Sequence, residues 1–318
     1  MILLGQRRPQ EVPLARQRTV CHDREMTFHE SVFRSPADAT ELATYAWTAA
    51  ATNRVGVVQI AHGLAEHGAR YDRLAQALNE AGFLVDANDH RGHGRSALSE
   101  AGLGDFGKPG FQGLIDDVAA YGGSIQRANP DLPLFLVAHS MGSFAAQSVL
   151  LDHSHQYAGV VLSGSTALDV LAADLAQAEG PVGLEAFNAG FEHRTGYEWL
   201  SRDEAEVDAY VVDPLCGFDV PEDAIPQMFT QAARLADPGA LAGIRPDLPI
   251  LIVSGQADPL SGDGQLAELL GQRYRDAGVV DVTTRVHPGA RHEIFNETNR
   301  DEITAEVVDW LRARAADA

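Results

Sequence analysis

The chain alternates short apolar runs with amphipathic stretches. Residues 27–33 and 40–47 alternate with the period of two that marks antiparallel strands with one packed face. Residues 55–61 (VGVVQIA) form a continuous apolar run closed by His62-Gly63, as expected of a strand buried on both faces. Leu74, Ala77, Leu78 and Ala81 give residues 70–81 a helical period, and Gly82 stops it. A strand is predicted at 83–87, followed by a helix at 113–128 closed by Asn129-Pro130. Residues 134–138 (LFLVA) read as a strand and 141–151 as a helix entered with almost no loop. Further strands are predicted at 159–162, 250–253 and 281–286, and further helices at 265–277 and 299–315. Strand–helix alternation over this length predicts an α/β fold, a mostly parallel central sheet with helices on both faces.

One stretch breaks the alternation. Between 165 and 239 there is no clear buried strand, only helix-like patterns carrying Leu168, Leu171, Leu184, Phe187, Trp199, Met228 and Phe229. An insertion between two sheet strands belongs above their carboxyl ends, where α/β ligands bind. Residues 165–239 are therefore expected to form a helical cap. Most of its apolar side chains would pack on the sheet while some line a pocket. The core is then 26–164 together with 240–318. Residues 1–25 lack apolar periodicity and carry Arg7, Arg8, Arg16, Arg18 and Arg24 against Glu11, Asp23 and Glu25. They read as a flexible leader, or as a start placed upstream of Met26.

Composition narrows the function classes. With 318 residues, 45% hydrophobic and 22% charged, the chain can bury a large core, which excludes global disorder. No apolar run approaches the ~20 residues of a membrane span, so no integral membrane association is expected. Ile2-Leu3-Leu4 precedes Arg7-Arg8, the reverse of a secretory signal's order. Cys21 and Cys216 are too few for a disulfide framework or a structural zinc site, and a cytoplasmic location is expected. Forty-five acidic against 24 basic residues give a formal charge of −21, a field that repels phosphate backbones and anionic lipid surfaces. The expected partner is a small-molecule substrate, with no nucleic acid; the sequence fixes no oligomeric state.

The chemistry starts at Ala138-His139-Ser140-Met141-Gly142. A strand, one tight turn and an immediate helix lift the Ser140 hydroxyl above the sheet at the positive end of the helix. Small residues are needed two before and two after the serine, where the strand and helix backbones nearly touch. Serine is a weak nucleophile at neutral pH and needs a base, which in turn needs an orienting acid. In this architecture the order is serine, acid, histidine, the last two in loops after late strands. The loop after 250–253 offers Asp258, with Asp263 in reserve. The loop after 281–286 offers His292, better placed to swing over Ser140 than His287 at the strand's end. A tetrahedral intermediate needs two backbone N–H donors. Met141 is one expected donor, and Leu64, in the turn after 55–61, is the other.

These stretches, with Asp89-His90-Arg91-Gly92-His93-Gly94-Arg95-Ser96 and Gly289-Ala290-Arg291-His292, resemble the monoacylglycerol lipase and lysophospholipase group of serine α/β-hydrolases, in order from about residue 30 to the end. The resemblance implies the α/β-hydrolase fold with Ser140, Asp258 and His292 as catalytic triad. It also implies Leu64 and Met141 as oxyanion donors, a mobile cap over an acyl pocket, and no metal or organic cofactor. Ala138 stands in place of a usual glycine and Ser143 in place of another. His62, Gly63, Glu66 and His67 are expected to support the oxyanion loop by hydrogen bonding, with His90, Arg91 and His93 in the same region. His62 and His67 lack the helical spacing of a zinc pair. Arg70 and Tyr71 are expected to fix the start of their helix, and Cys216 to be a bystander. The expected function is a serine carboxylic-ester hydrolase acting through an acyl-enzyme on neutral esters such as monoacylglycerols or medium-chain alkyl esters. A prolyl iminopeptidase-like peptidase is an alternative, in which Glu192, Asp203, Glu204 or Glu206 would hold a free amine. An acyltransferase or a non-enzymatic ligand receptor on the same fold are others.

Overall fold

A computed structural model describes residues 26–49, 53–97, 102–177 and 183–318; the predicted leader, 1–25, lies outside the described residues. Among these, eight strands form one sheet: β1 (Met26–Arg34), β2 (Glu41–Ala49), β3 (Gly56–Ala61), β4 (Phe83–Asn88), β5 (Leu134–His139), β6 (Gly159–Ser163), β7 (Ile250–Gly255) and β8 (Val282–His287). Their order across the sheet is β1-β2-β4-β3-β5-β6-β7-β8. β1–β2 and β2–β4 pair antiparallel and every other pair is parallel. The alternating patterns at the start of the chain thus form the antiparallel edge, and the continuous apolar runs form the doubly covered centre.

The side chains of β5 show how the faces are filled. Leu134, Leu136 and Ala138 enter one core, while Phe135 and Val137 enter the other, the period of two that a strand imposes. The helices are α1 (Asp72–Glu80), α2 (Gly110–Ala128), α3 (Met141–His153), α4 (Leu168–Leu175), α5 (Glu204–Val212), α6 (Ala224–Met228), α7 (Ala232–Ala236), α8 (Pro238–Leu241), α9 (Gln265–Asp276) and α10 (Arg300–Ala315). Leu74 and Leu78 of α1 and Val307 and Leu311 of α10 cover one face. Leu114 of α2, Phe144 of α3 and Leu270 of α9 cover the other. Two helix starts differ from the periodicity. Residues 68–71 form a tighter 3-10 turn in which the Arg70 N–H donates to the His67 carbonyl at 3.2 Å, so α1 begins at Asp72. α2 begins at Gly110, straight after Pro109, because Phe111 is already buried and supplies the first apolar position.

Helices α4 to α8 occupy the segment between β6 and β7, which holds no strand among the described residues. It is tied to two loops that follow strands. The Tyr210 hydroxyl (2.9 Å) and the Gly217 N–H (3.0 Å) donate to the Ala65 carbonyl after β3. After β8, the N–H groups of His292 (3.2 Å) and Glu293 (2.7 Å) donate to the carbonyls of Trp199 and Leu200. Among the described residues no helix is long and apolar enough to cross a membrane.

Arg91 corrects one expectation. The turn that carries it points its side chain away from the loop after β3, into a buried site between α2 and the β1–β2 turn. There its Nε donates to Asp117 at 2.8 Å, and its terminal nitrogens donate to Ser35 Oγ at 3.0 Å and the Phe106 carbonyl at 3.1 Å. It braces the scaffold rather than the loop.

Candidate active site

Ser140 sits at φ 50°, ψ −123°, a left-handed backbone region that residues with a β-carbon avoid, between β5 and α3. The strain persists because both flanks leave no room. A β-carbon on Gly142 would collide with the carbonyl oxygens of Ala61 and His62, and Ala138 is fully buried between Ala61 and Leu162 in the ladder. Glycine at 138 is therefore not required, because only the methyl of alanine has to fit.

The loop after β3 passes beside this turn. A β-carbon on Gly63 would lie 3.2 Å from the Ser140 Cβ. Glu66 holds the loop: its Oε1 accepts from the Gly63 N–H at 2.5 Å and from the Tyr71 hydroxyl at 2.8 Å. His62 holds the other side, its Nδ1 donating to the Gly63 carbonyl at 2.8 Å and its Nε2 accepting from the His90 N–H at 2.9 Å. Both peptide groups of Gly63 are thereby fixed. The next amide, of Leu64, and the first amide of α3, of Met141, donate to no acceptor among the described residues.

Asp258, in the loop after β7, and His292, in the loop after β8, meet at 2.9 Å through Oδ2 and Nδ1. Both are buried, and Asp258 Oδ1 is held by the Leu260 N–H at 2.9 Å. The imidazole is sandwiched between Trp199 and His139, with ring centroids 4.8 Å and 4.7 Å away. Asp263 is exposed in a turn, and His287 lies against Glu306 at 3.4 Å, outside the pocket.

Burial disfavours a charged His292, but the Asp258 carboxylate and its hydrogen bond outweigh it and raise His292 above its ordinary 6.5. Neighbouring His139 is driven by burial down to about 4 and is neutral at working pH. The raised affinity of His292 for a proton stabilises the fold below pH 6.5, and that contribution fades as pH rises through the folded value. The expected base, His292, must be neutral to act, so kcat/KM is expected to fall on the acid side with an apparent pKa above 6.5. In Asp258→Asn the limb moves to lower pH, because burial is then opposed only by the fields of Glu293 and Glu66, and kcat falls by roughly 10⁴. A pH–rate profile of both proteins on an activated ester reads this directly.

One group escaped sequence reasoning. Glu293, next to His292, is clamped by Arg70 at 2.6 and 2.8 Å, and the same guanidinium reaches Glu66 Oε2 at 2.6 Å. Burial would raise the Glu293 carboxyl, but Arg70 brings it down to about 2. Arg70 therefore ties the loop after β3 to the loop after β8, and Tyr71 braces Glu66, rather than only starting a helix. The one signal available was an acid directly after the histidine. His67 turns away from Gly63 and bonds Asp213 of the inserted segment at 3.0 Å. His67, Asp213 and Cys216 have donor atoms within 4.8 Å of one another. His67 and Asp213 already satisfy each other, and burial pushes the Cys216 thiol up, away from the thiolate a metal needs. His62, His90 and His93 are fully buried, the rings of His90 and His93 tilted against His62 with centroids 4.2 Å and 5.4 Å away, and all three are pushed by burial below 6.5, His90 to about 3 and His93 to about 4.

Ser140 and His292 line one pocket, walled on the inserted segment's side by Leu171, Leu184, Phe187, Met228 and Phe229.

Residues 52–299 match the family described as serine aminopeptidase, S33. The chain is 32% identical over 294 residues to a mouse monoglyceride lipase, covering 89% of this chain and 90% of that one. It is 31% identical over 268 residues to a monoacylglycerol lipase of Mycolicibacterium smegmatis, covering 82% and 89%. A thermostable carboxyl esterase from Bacillus coagulans, solved in complex with glycerol, superposes with a TM-score of 0.79 at 27% identity, over 92% of this chain and all of that one.

Proposed function

This chain belongs to the serine aminopeptidase S33 family and is a serine ester hydrolase of α/β-hydrolase fold, and on that premise we propose that it cleaves monoacylglycerols and similar neutral medium-chain esters with Ser140, Asp258 and His292. The observation that carries this is the pocket: the strained serine and the Asp258-bound histidine share a cavity whose opposite wall is apolar. The acyl chain lies against Leu171, Leu184, Phe187 and Met228, with its carbonyl at Ser140. His292 Nε2 takes the hydroxyl proton as the oxygen attacks, and Asp258 fixes the tautomer and stabilises the imidazolium. The Leu64 and Met141 amides receive the oxyanion. The alcohol leaves with the proton from His292, and a water activated by the same imidazole releases the acid. Residues 165–239 act as the cap that closes the acyl site.

The family's description raises the peptidase alternative. A free amine needs an unpaired carboxylate in the pocket. Glu192 and Glu204 are exposed, Asp203 pairs with Arg300 at 2.6 Å and Glu206 with Arg73 at 2.7 Å, and none of the four lines the cavity. Glu66 and Glu293 do line it, but share Arg70. Initial rates on 1-monoacylglycerols from butyrate to palmitate, beside a prolyl naphthylamide, test the choice. The expected result is an optimum among caprylate, caprate and laurate with no amide turnover. Faster amide turnover, or butyrate preferred over all longer chains, would overturn it.

A further inference from the structure

Ser143 places a hydroxyl inside the turn that holds Ser140. Its Oγ lies 2.6 Å from the Ser140 carbonyl oxygen and 2.9 Å from Ser165 Oγ. Gln147 Nε2 in turn donates to Ser165 Oγ at 3.0 Å and to the Thr166 carbonyl at 3.2 Å. Ser143, Gln147, Ser165 and Thr166 are all buried to within 1% of full burial. Each hydroxyl has one proton, and counting protons fixes the direction of the chain. A carbonyl only accepts, so Ser143 must donate to Ser140. The Ser143–Ser165 contact must then be Ser165 donating, and Ser165 accepts from the Gln147 amide, which only donates there. Three side-chain donors are thereby aligned head to tail, ending on the carbonyl of the Ser140–Met141 peptide.

That peptide is special because its other end is the Met141 N–H. A hydrogen bond to the carbonyl of an amide draws electron density from its nitrogen and makes the N–H a stronger donor, and aligned bonds polarise one another in a low-dielectric interior. The Ser140 carbonyl also takes the Ser143 N–H at 2.8 Å and the Phe144 N–H at 3.0 Å, bonds that any serine in this turn would have. The hydroxyl chain is what this sequence adds.

We infer that the Gln147–Ser165–Ser143 hydrogen-bond chain is a positioning device that strengthens the Met141 N–H as an oxyanion donor, with Ser143 its decisive member. This rests on the proposed roles of Ser140 and Met141. It acts on the transition state, where the oxygen becomes negative, and leaves the acyl pocket unchanged. Ser143 touches no substrate.

The test compares wild type with Ser143→Ala and Ser165→Ala on one medium-chain ester. Three readouts are used: kcat and KM separately, the affinity of an alkyl trifluoromethyl ketone that mimics the oxyanion, and the infrared carbonyl stretch of the acyl-enzyme. Ser143→Ala is expected to lower kcat roughly 3–10-fold at unchanged KM. The ketone should weaken by the same factor, and the carbonyl stretch should move to higher frequency as its hydrogen bond weakens. Ser165→Ala leaves the Ser143 bond but removes the donor behind it, so it should move all three the same way by a smaller amount. Should Ser143→Ala fail to fold, Ser165→Ala carries the test alone. Unchanged ketone affinity and carbonyl frequency, or a loss confined to KM, would overturn the inference. Labelling of wild type by a fluorophosphonate separates the two levels: no adduct on Ser140 means the underlying reading has failed, whereas labelling with unaltered Ser143→Ala readouts means that only the relay has.

Discussion

Replacing Ser140 by alanine is expected to lower kcat for monoacylglycerol hydrolysis by roughly four to six orders of magnitude while leaving the protein folded. The size follows from the division of labour in the site. Without the hydroxyl there is no acyl-enzyme, and His292 can serve only as a base for water, with the Leu64 and Met141 amides still in place. Folding is spared because Ser140 Oγ makes no hydrogen bond to the protein among the described residues, and alanine keeps the β-carbon that the turn already accommodates at φ 50°. Binding of a non-hydrolysable alkyl glyceryl ether should be nearly unchanged, since the apolar wall from Leu171 to Phe229 is untouched. Stopped assays with high enzyme concentration, beside a thermal melt, read both halves. Retained turnover in a folded variant would remove Ser140 from the mechanism.

The largest effect on stability is expected at Arg91, which takes no part in the chemistry. Its guanidinium and the Asp117 carboxylate are both buried, 2.8 Å apart. Arg91→Met takes the guanidinium away from a buried Asp117 whose carboxyl is already raised by burial, which costs about 3–5 kcal/mol. For a chain of this length that lowers the melting temperature by roughly 5–8 °C. Arg91 lines neither the pocket nor the loop of Leu64, so kcat/KM of the folded variant should stay within a few-fold of wild type. The double variant Arg91→Met/Asp117→Leu removes the orphaned carboxyl as well and should recover much of the loss. A melting temperature unchanged in the single variant would show that the pair is not what holds the β1–β2 turn against α2.

The contrast between these two sites shows what the sequence makes legible. Ser140, Asp258 and His292 are far apart in the chain, yet each follows a strand recognisable in the sequence, and strand ends on one edge of a parallel sheet must converge. The strand assignments rest on local patterns, a period of two or an unbroken apolar run, and the sheet pairs them as those patterns require. The helix starts at 72 and 110 were less visible, because a 3-10 turn and a proline reset the period locally. Least visible were the polar contacts between loops. Arg70 and Glu293 are 223 residues apart, Arg91 and Asp117 are 26 apart, and Ser143 and Ser165 are 22 apart. Nothing periodic marks such pairs. They depend on where loops lie once the core is packed, so the sequence around Arg91 and Glu293 does not reveal their partners.

The central claim is that Ser140 carries the acyl group in a pocket made for a neutral chain. The most direct measurement is to treat the protein with a medium-chain alkyl fluorophosphonate, with and without excess monoacylglycerol, and locate the adduct by peptide mass spectrometry. The account predicts a single adduct per chain on the peptide holding Ser140, formed as hydrolysis is lost and slowed by the competing ester. Hydrolysis lost with the adduct on any other residue, or persisting with Ser140 fully modified, would contradict it.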